Sequence, residues 1–153
     1  VILGSGFWSS GSGTMFSQVN KGFSFYSEGV TGFVGVKDVI YCMVGLMEST
    51  CKNERFILVS ENKSFKEVLF SIADAFGKKR PSRSVQPWQA SLFWRWEWLV
   101  SKITSRKTRM SKYTAKTLHT KTYYSSDKIK KLGINKFESI EEVITSVSDD
   151  FLV

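Results

Sequence analysis

The sequence predicts an α/β protein, a small mixed sheet with flanking helices, and three observations predict it. Apolar runs of strand length occur at residues 1–3 and 55–60, and the second is the continuous kind that parallel or mixed sheets bury. Between and after them, apolar residues recur at helical spacing. The 153 residues, 42% hydrophobic and 14% aromatic, are too apolar for disorder and enough for one domain with a core.

Taken in order, residues 1–3 read as the end of a buried strand and Gly4-Ser5-Gly6 as the turn leaving it. GTMFSQVN then sets Met15, Phe16 and Val19 at helical spacing, so a short helix is expected. In KGFSFYSEGVTGFVGV, Phe23 and Phe25 precede a turn at Glu28 and Gly29, and Phe33 and Val34 follow it, which predicts two short strands. Asp38 precedes a helical stripe of Val39, Ile40, Met43, Val44, Leu46 and Met47, and its carboxylate suits a cap of the first turn. Residues 55–60 are the next expected strand.

Ser64 and Glu67 have capping-box spacing at the start of a helix that carries Phe65, Val68, Leu69, Ile72, Ala73 and Phe76 on one face, with Gly77 as its stop. Residues 81–87 read as a basic connection. A helix is expected over 88–103, with Trp88, Leu92, Trp96, Leu99 and Ile103 in one stripe. A short helix over 111–119, a strand at 122–124, a helix over 126–132 ended by Gly133, and a last amphipathic helix over 139–151 complete the pattern. Ser139 and Glu142 form a second capping box.

Composition narrows the function. No window has the roughly 18 to 20 apolar residues that span a bilayer, and no basic region precedes a hydrophobic secretory core. Cys42 and Cys51 fit neither a metal knuckle nor a disulfide framework, so two reduced thiols in a cytoplasmic protein are expected. Residues 78–121 hold twelve Lys/Arg against Glu97 alone, while the whole chain carries +8. An electrostatic partner therefore meets the middle of the chain.

Candidate catalytic groups are few. The one histidine, His119, lies in a basic polar stretch that announces no orienting partner, so it reads as a surface residue. Glu141, Glu142, Asp149 and Asp150 read as the solvated face of the last helix. The opening VILGSGFWSSGSG lacks the G-x-G-x-x-G spacing of a dinucleotide loop, and no P-loop is present.

The residues resemble a family in their order. VILGSG is similar to the strand and turn that follow the catalytic helix in extended short-chain dehydrogenases/reductases, the NAD-dependent epimerase/dehydratase superfamily, with Ser5 where Pro is usual. Phe33-Val34-Gly35-Val36-Lys37-Asp38-Val39 is similar to a later family segment whose Asp starts a helix, with Gly35 in place of a common His or Asp. Ser64 to Glu67 resembles a further helix start. The run from Tyr124 to Gly133 resembles the ending of the dihydroflavonol-reductase-like and sterol-dehydrogenase-like branches.

The resemblance implies that residues 1–153 are the substrate-binding C-terminal portion of an NAD(P)-binding Rossmann-type enzyme, whose Rossmann half precedes them. The family's Gly-x-x-Gly-x-x-Gly fingerprint and its catalytic Tyr-x-x-x-Lys are read as absent from this chain and expected in that half, together with the choice between NAD and NADP. By position, Gly4, Ser5 and Gly6 would border the cofactor, and Phe7, Trp8 and Phe16 would face a small organic substrate. No tight cofactor binding is expected of this chain alone. Its first strand should have an unpaired edge unless the chain rearranges or self-associates.

The Trp-rich stretch leaves three readings open. Trp88, Trp94, Trp96 and Trp98, with Phe93, could wall an apolar substrate pocket. Trp94 and Trp98 could instead lie on a membrane surface beside Arg95, Lys102, Arg106 and Lys107, or Trp88, Trp96 and Leu92 could be core with the rest partly exposed. A different class also follows from the composition: cations interleaved with Trp and Tyr suit nucleic acid, through phosphate contacts and base stacking.

Overall fold

The computed structural model describes residues 1–86 and 119–152. The helix expected over 88–103, and Trp88 with it, lies outside the described residues, as does nearly all of the one expected over 111–119.

The first half runs β1 (Ile2–Leu3), α1 (Gly13–Asn20), β2 (Phe25–Tyr26), β3 (Val30–Gly35), α2 (Val36–Glu48), β4 (Glu61–Ser64), α3 (Phe65–Ala75) and β5 (Arg83–Ser84). After the intervening segment come α4 (Asp127–Lys130) and α5 (Ile140–Leu152). β3 is the middle strand of a three-stranded mixed sheet, parallel to β1 with Leu3 opposite Gly35, and antiparallel to β4 with Phe33 opposite Glu61. β2 and β5 form a separate parallel pair. The protein is thus α/β, with a small mixed sheet and flanking helices.

Residues 31–35 are all buried, as a middle strand requires. The main core gathers Leu3 and Phe33 from the sheet, Phe16 and Val19 from α1, Val68 and Ile72 from α3, and Ile140 and Ile144 from α5. Each such side chain contributes roughly 1.5–3 kcal/mol through its burial. A smaller cluster joins Cys42 of α2 to Ile129 of α4 and to Ile134. Neither cysteine is in a disulfide.

The capping boxes stand as expected. The Ser64 hydroxyl accepts from the Glu67 N–H at 3.1 Å, and the Glu67 carboxylate accepts from the Ser64 N–H at 2.7 Å. Ser139 and Glu142 repeat the arrangement at the start of α5. These bonds hold the Glu67 carboxyl below its ordinary range, first through the Ser64 side chain. Past α3, Gly77 adopts φ +60° and stops the helix.

Four expectations need correction. Residues 55–60 form no ladder; Phe56 and Leu58 pack on the Cys42 cluster, and Ile57 is exposed. Pairing begins only at Ser60, whose N–H donates to the Phe33 carbonyl at 2.9 Å, and the strand is the polar Glu-Asn-Lys-Ser that follows. Polar residues suit β4 because their side chains bond across the fold. The Asn62 amide accepts from the Tyr124 N–H and donates to the Tyr124 carbonyl, and Glu61 accepts from the Ile140 N–H.

The strand expected at 122–124 reduces to one parallel bridge between Lys121 and Val30. Residues 83–84, read as connection, pair with β2. Asp38 is not the N-cap residue of α2: that helix begins at Val36 with Gly35 at its N-cap, and Asp38 sits in the first turn, its carboxylate accepting from the Gly35 N–H.

Candidate functional site

The parallel strands β1 and β3 end side by side, and ligands of open α/β sheets bind outside such carboxyl ends. Here Leu3 leads into Gly4 and Ser5, and Gly35 leads directly into the first turn of α2. The crevice between them is lined by Gly4, Ser5, Lys37, Glu138 and, from α5, Val147 and Asp150. Its floor is tight by construction. A Cβ on Gly4 would stand 2.8 Å from Val36, and one on Gly35 would stand 2.9 Å from Val143, so both positions need a bare Cα.

Asp38 ties this end of the sheet together. It is 5% exposed, and its two carboxylate oxygens accept from the Glu138 N–H at 3.2 and 3.3 Å, joining α2 to the segment that enters α5. Burial pushes its carboxyl up from the ordinary 3.8, against the pull of the Glu138 N–H. The fold therefore favours the protonated form. The stability that preference supplies is present below the ordinary value and is lost as pH rises through the raised one.

Asp38→Asn keeps an acceptor for Glu138 and removes the titration. Thermal melts between about pH 4 and 7 should then show a flatter pH dependence than the unsubstituted chain, losing the component that falls as pH rises. Asp38→Ala, which leaves the Glu138 N–H unpaired, should cost about 1–3 kcal/mol across the range. An unchanged pH profile for Asp38→Asn would show that this carboxyl does not titrate with folding.

The expected site residues separate. Gly4 and Ser5 border the crevice, while Gly6 does not line it. Phe7 is 81% exposed. Trp8 packs edge-on against Phe16 and Phe151, with ring centroids 6.1 and 4.7 Å apart. Phe16 itself is fully buried, a core residue with no ring surface left for a substrate. His119 lies away from the crevice, and its Nε2 finds no hydrogen-bond partner among the described residues.

Sequence reasoning missed Lys37, Glu138 and Asp150 because three distant elements bring them together. No cluster of metal-ligating side chains occurs among the described residues, nor is any helix there long and apolar enough to cross a membrane.

Two family spacings, expected only in a preceding half, do occur by letter. Gly29, Gly32 and Gly35 give Gly-x-x-Gly-x-x-Gly, but they run along the extended β3 and its flank rather than through a strand-to-helix turn. Gly32 instead admits Val59 and Tyr124, which a Cβ would meet at 2.6 and 3.2 Å. Tyr124 and Lys128 give Tyr-x-x-x-Lys, but Tyr124 precedes α4 and Lys128 pairs with Glu54. Neither set therefore stands in the turn or helix setting that the resemblance implies for it.

The crevice measures about 30 Å³, space for about one water and far below the roughly 300–1,000 Å³ of small-ligand pockets. A nicotinamide does not fit within it; Gly4 and Ser5 could only border such a group.

Adjacent strand ends beside a helix N-terminus define the chain as an α/β unit of the open-sheet kind. No protein-family model matches the chain, and no curated protein matches it in sequence. Its fold is similar to that in the crystal structure of gox2253, with a TM-score of 0.76 and 20% identity. The match covers 99% of this chain and 47% of that one, so the chain spans about half the length of its structural neighbour. At that identity the likeness is one of fold.

Proposed function

We propose that the chain is the substrate-side, C-terminal part of an NAD(P)-dependent oxidoreductase or epimerase of the short-chain dehydrogenase/reductase type, acting on a small organic substrate. In that reading hydride transfer to or from the nicotinamide is the chemistry the cofactor supplies. The present residues close one end of the site and carry no catalytic group.

One observation carries the reading: the sheet stops where its apolar surface does not. β1 is an edge strand. The N–H and C=O of Val1 bond to β3, at Gly32 and Val34, so those of Ile2 point to the open side. Among the described residues, only the Ser12 hydroxyl reaches the Ile2 carbonyl, at 2.6 Å.

Next to β1, Val36, Ile40, Met43, Val44 and Met47 lie along one face of α2, and all are exposed, Met47 to 83%. Gly4 touches Val36, so strand edge and helix stripe adjoin. Parallel strands are rarely left at an open margin beside an uncovered apolar helix face. A preceding α/β half, consistent with the half-length match to gox2253, would cover both.

The coding sequence immediately upstream of Val1 tests this. It should encode a Tyr-x-x-x-Lys helix and, before it, the glycine fingerprint. Calorimetric titration of this chain alone with NADH and NADPH should give no stoichiometric binding. A stop codon or unrelated upstream sequence, or tight dinucleotide binding by the isolated chain, overturns the proposal.

A further inference from the structure

A second surface lies apart from the crevice. α1 and α3 pack together, with Phe16 and Phe76 at 6.3 Å, and each ends in a glycine turn that leads into one strand of the β2–β5 pair. Because those strands are parallel, both turns arrive at the same end: the N–H groups of Ser82 and Arg83 donate to the Ser24 carbonyl at 3.1 and 2.9 Å. The chain therefore sets Lys21, Phe23 and Phe25 beside Lys78, Lys79, Arg80 and Arg83.

This rim is both apolar and cationic. Phe23 and Phe25 are 41% and 40% exposed, their ring centroids 5.7 Å apart. Arg83 stands over Phe25 at 5.9 Å, Arg80 over Phe70 at 5.4 Å, and Lys66 over Tyr26 and Phe70 at 5.2 and 5.7 Å. Two acids stand near these cations: Arg80 takes Asp74 in a two-pronged pair at 2.8 and 2.7 Å, and Lys66 acts on the Glu67 carboxyl. Among the described residues, Arg83 makes no ion pair. The excess charge is positive, and it surrounds exposed aromatic rings.

We infer that this rim, formed by the turns before β2 and β5, docks on an anionic phospholipid surface, with Phe23 and Phe25 entering the interface and the lysines and arginines meeting the headgroups. Charge complementarity selects an anionic partner. The rings select lipid over nucleic acid. Base stacking needs free ring faces, whereas Arg83 and the neighbouring Phe23 already flank Phe25. Partly exposed rings on a basic surface suit the boundary of headgroups and acyl chains. The inference is independent of the proposed enzymatic role.

Co-sedimentation of the full chain with phosphatidylcholine vesicles, with and without phosphatidylserine, tests it. Binding should need phosphatidylserine and weaken at high salt. Lys78→Gln with Lys79→Gln should reduce affinity by about fivefold for each charge removed. Phe23→Ser with Phe25→Ser, which leaves every charge in place, should also weaken binding, and circular dichroism checks that the fold is kept.

Equal binding to uncharged vesicles overturns the inference. So does binding that ignores all four rim substitutions but is lost on changing Lys102, Arg106 and Lys107, because the contact then lies elsewhere. Rim-dependent binding to a single-stranded oligonucleotide, without binding to vesicles, overturns it in favour of nucleic acid.

Discussion

Phe33→Ala should destabilise the fold by about 3–5 kcal/mol, the range for emptying a fully buried aromatic site. Phe33 is 0% exposed in the middle strand, and its ring meets Phe65 edge-on at 5.9 Å and 80°. The cavity would open between the sheet and the first turn of α3, where the capping box and the β4 pairing hold the backbone and limit collapse. Urea unfolding followed by circular dichroism measures the loss. Phe33→Leu, closer in volume, should lose less. Equal losses for Ala and Leu would show that edge-on ring geometry, rather than filled volume, sets the energy at this site.

Gly13→Ala should cost about 1–3 kcal/mol or more, although it adds a single methyl to a helix. A Cβ at Gly13 would stand 2.2 Å from the Phe7 carbonyl oxygen and 3.2 Å from the Trp8 Cα. Both are backbone atoms, so no side chain can swing aside. The loop between β1 and α1 is held down on the first turn of that helix: Ser17 donates to the Trp8 carbonyl at 2.6 Å and Thr14 to the Gly11 carbonyl at 2.7 Å. The methyl must lift this loop or displace α1 from the core. Elsewhere in an exposed helix, Gly to Ala gains up to about 1 kcal/mol, so the sign of the measured change decides between close packing and ordinary helix propensity.

The sequence was most legible where the signal is local. α3 and α5 each announce themselves by a capping box and an apolar stripe, and in both the stripe is the buried face. α2 carries as clear a stripe, but periodicity does not say which way it turns. Cys42 and Asp38 face inward while Ile40, Met43 and Met47 face out. β4 was illegible because its partners are far along the chain, at Tyr124, Ile140 and Glu141. β5 exists only through its pairing with β2. The crevice was half legible: the family resemblance pointed to Gly4 and Ser5, while Lys37 and Asp150 reach it through tertiary folding alone.

The bridge between Val30 and Lys121 has a wider consequence. On one side of the 87–118 stretch, the Val85 N–H donates to the Tyr26 carbonyl at 2.8 Å. On the other, Val30 donates to the Thr120 carbonyl at 3.1 Å and accepts from the Thr122 N–H at 2.9 Å. Both margins are thus stitched to strands that the rest of the body already holds. Substitutions that disturb the backbone at residue 85 or at residues 120–122 should therefore be felt in β2 and β3, the strands to which those margins are bonded.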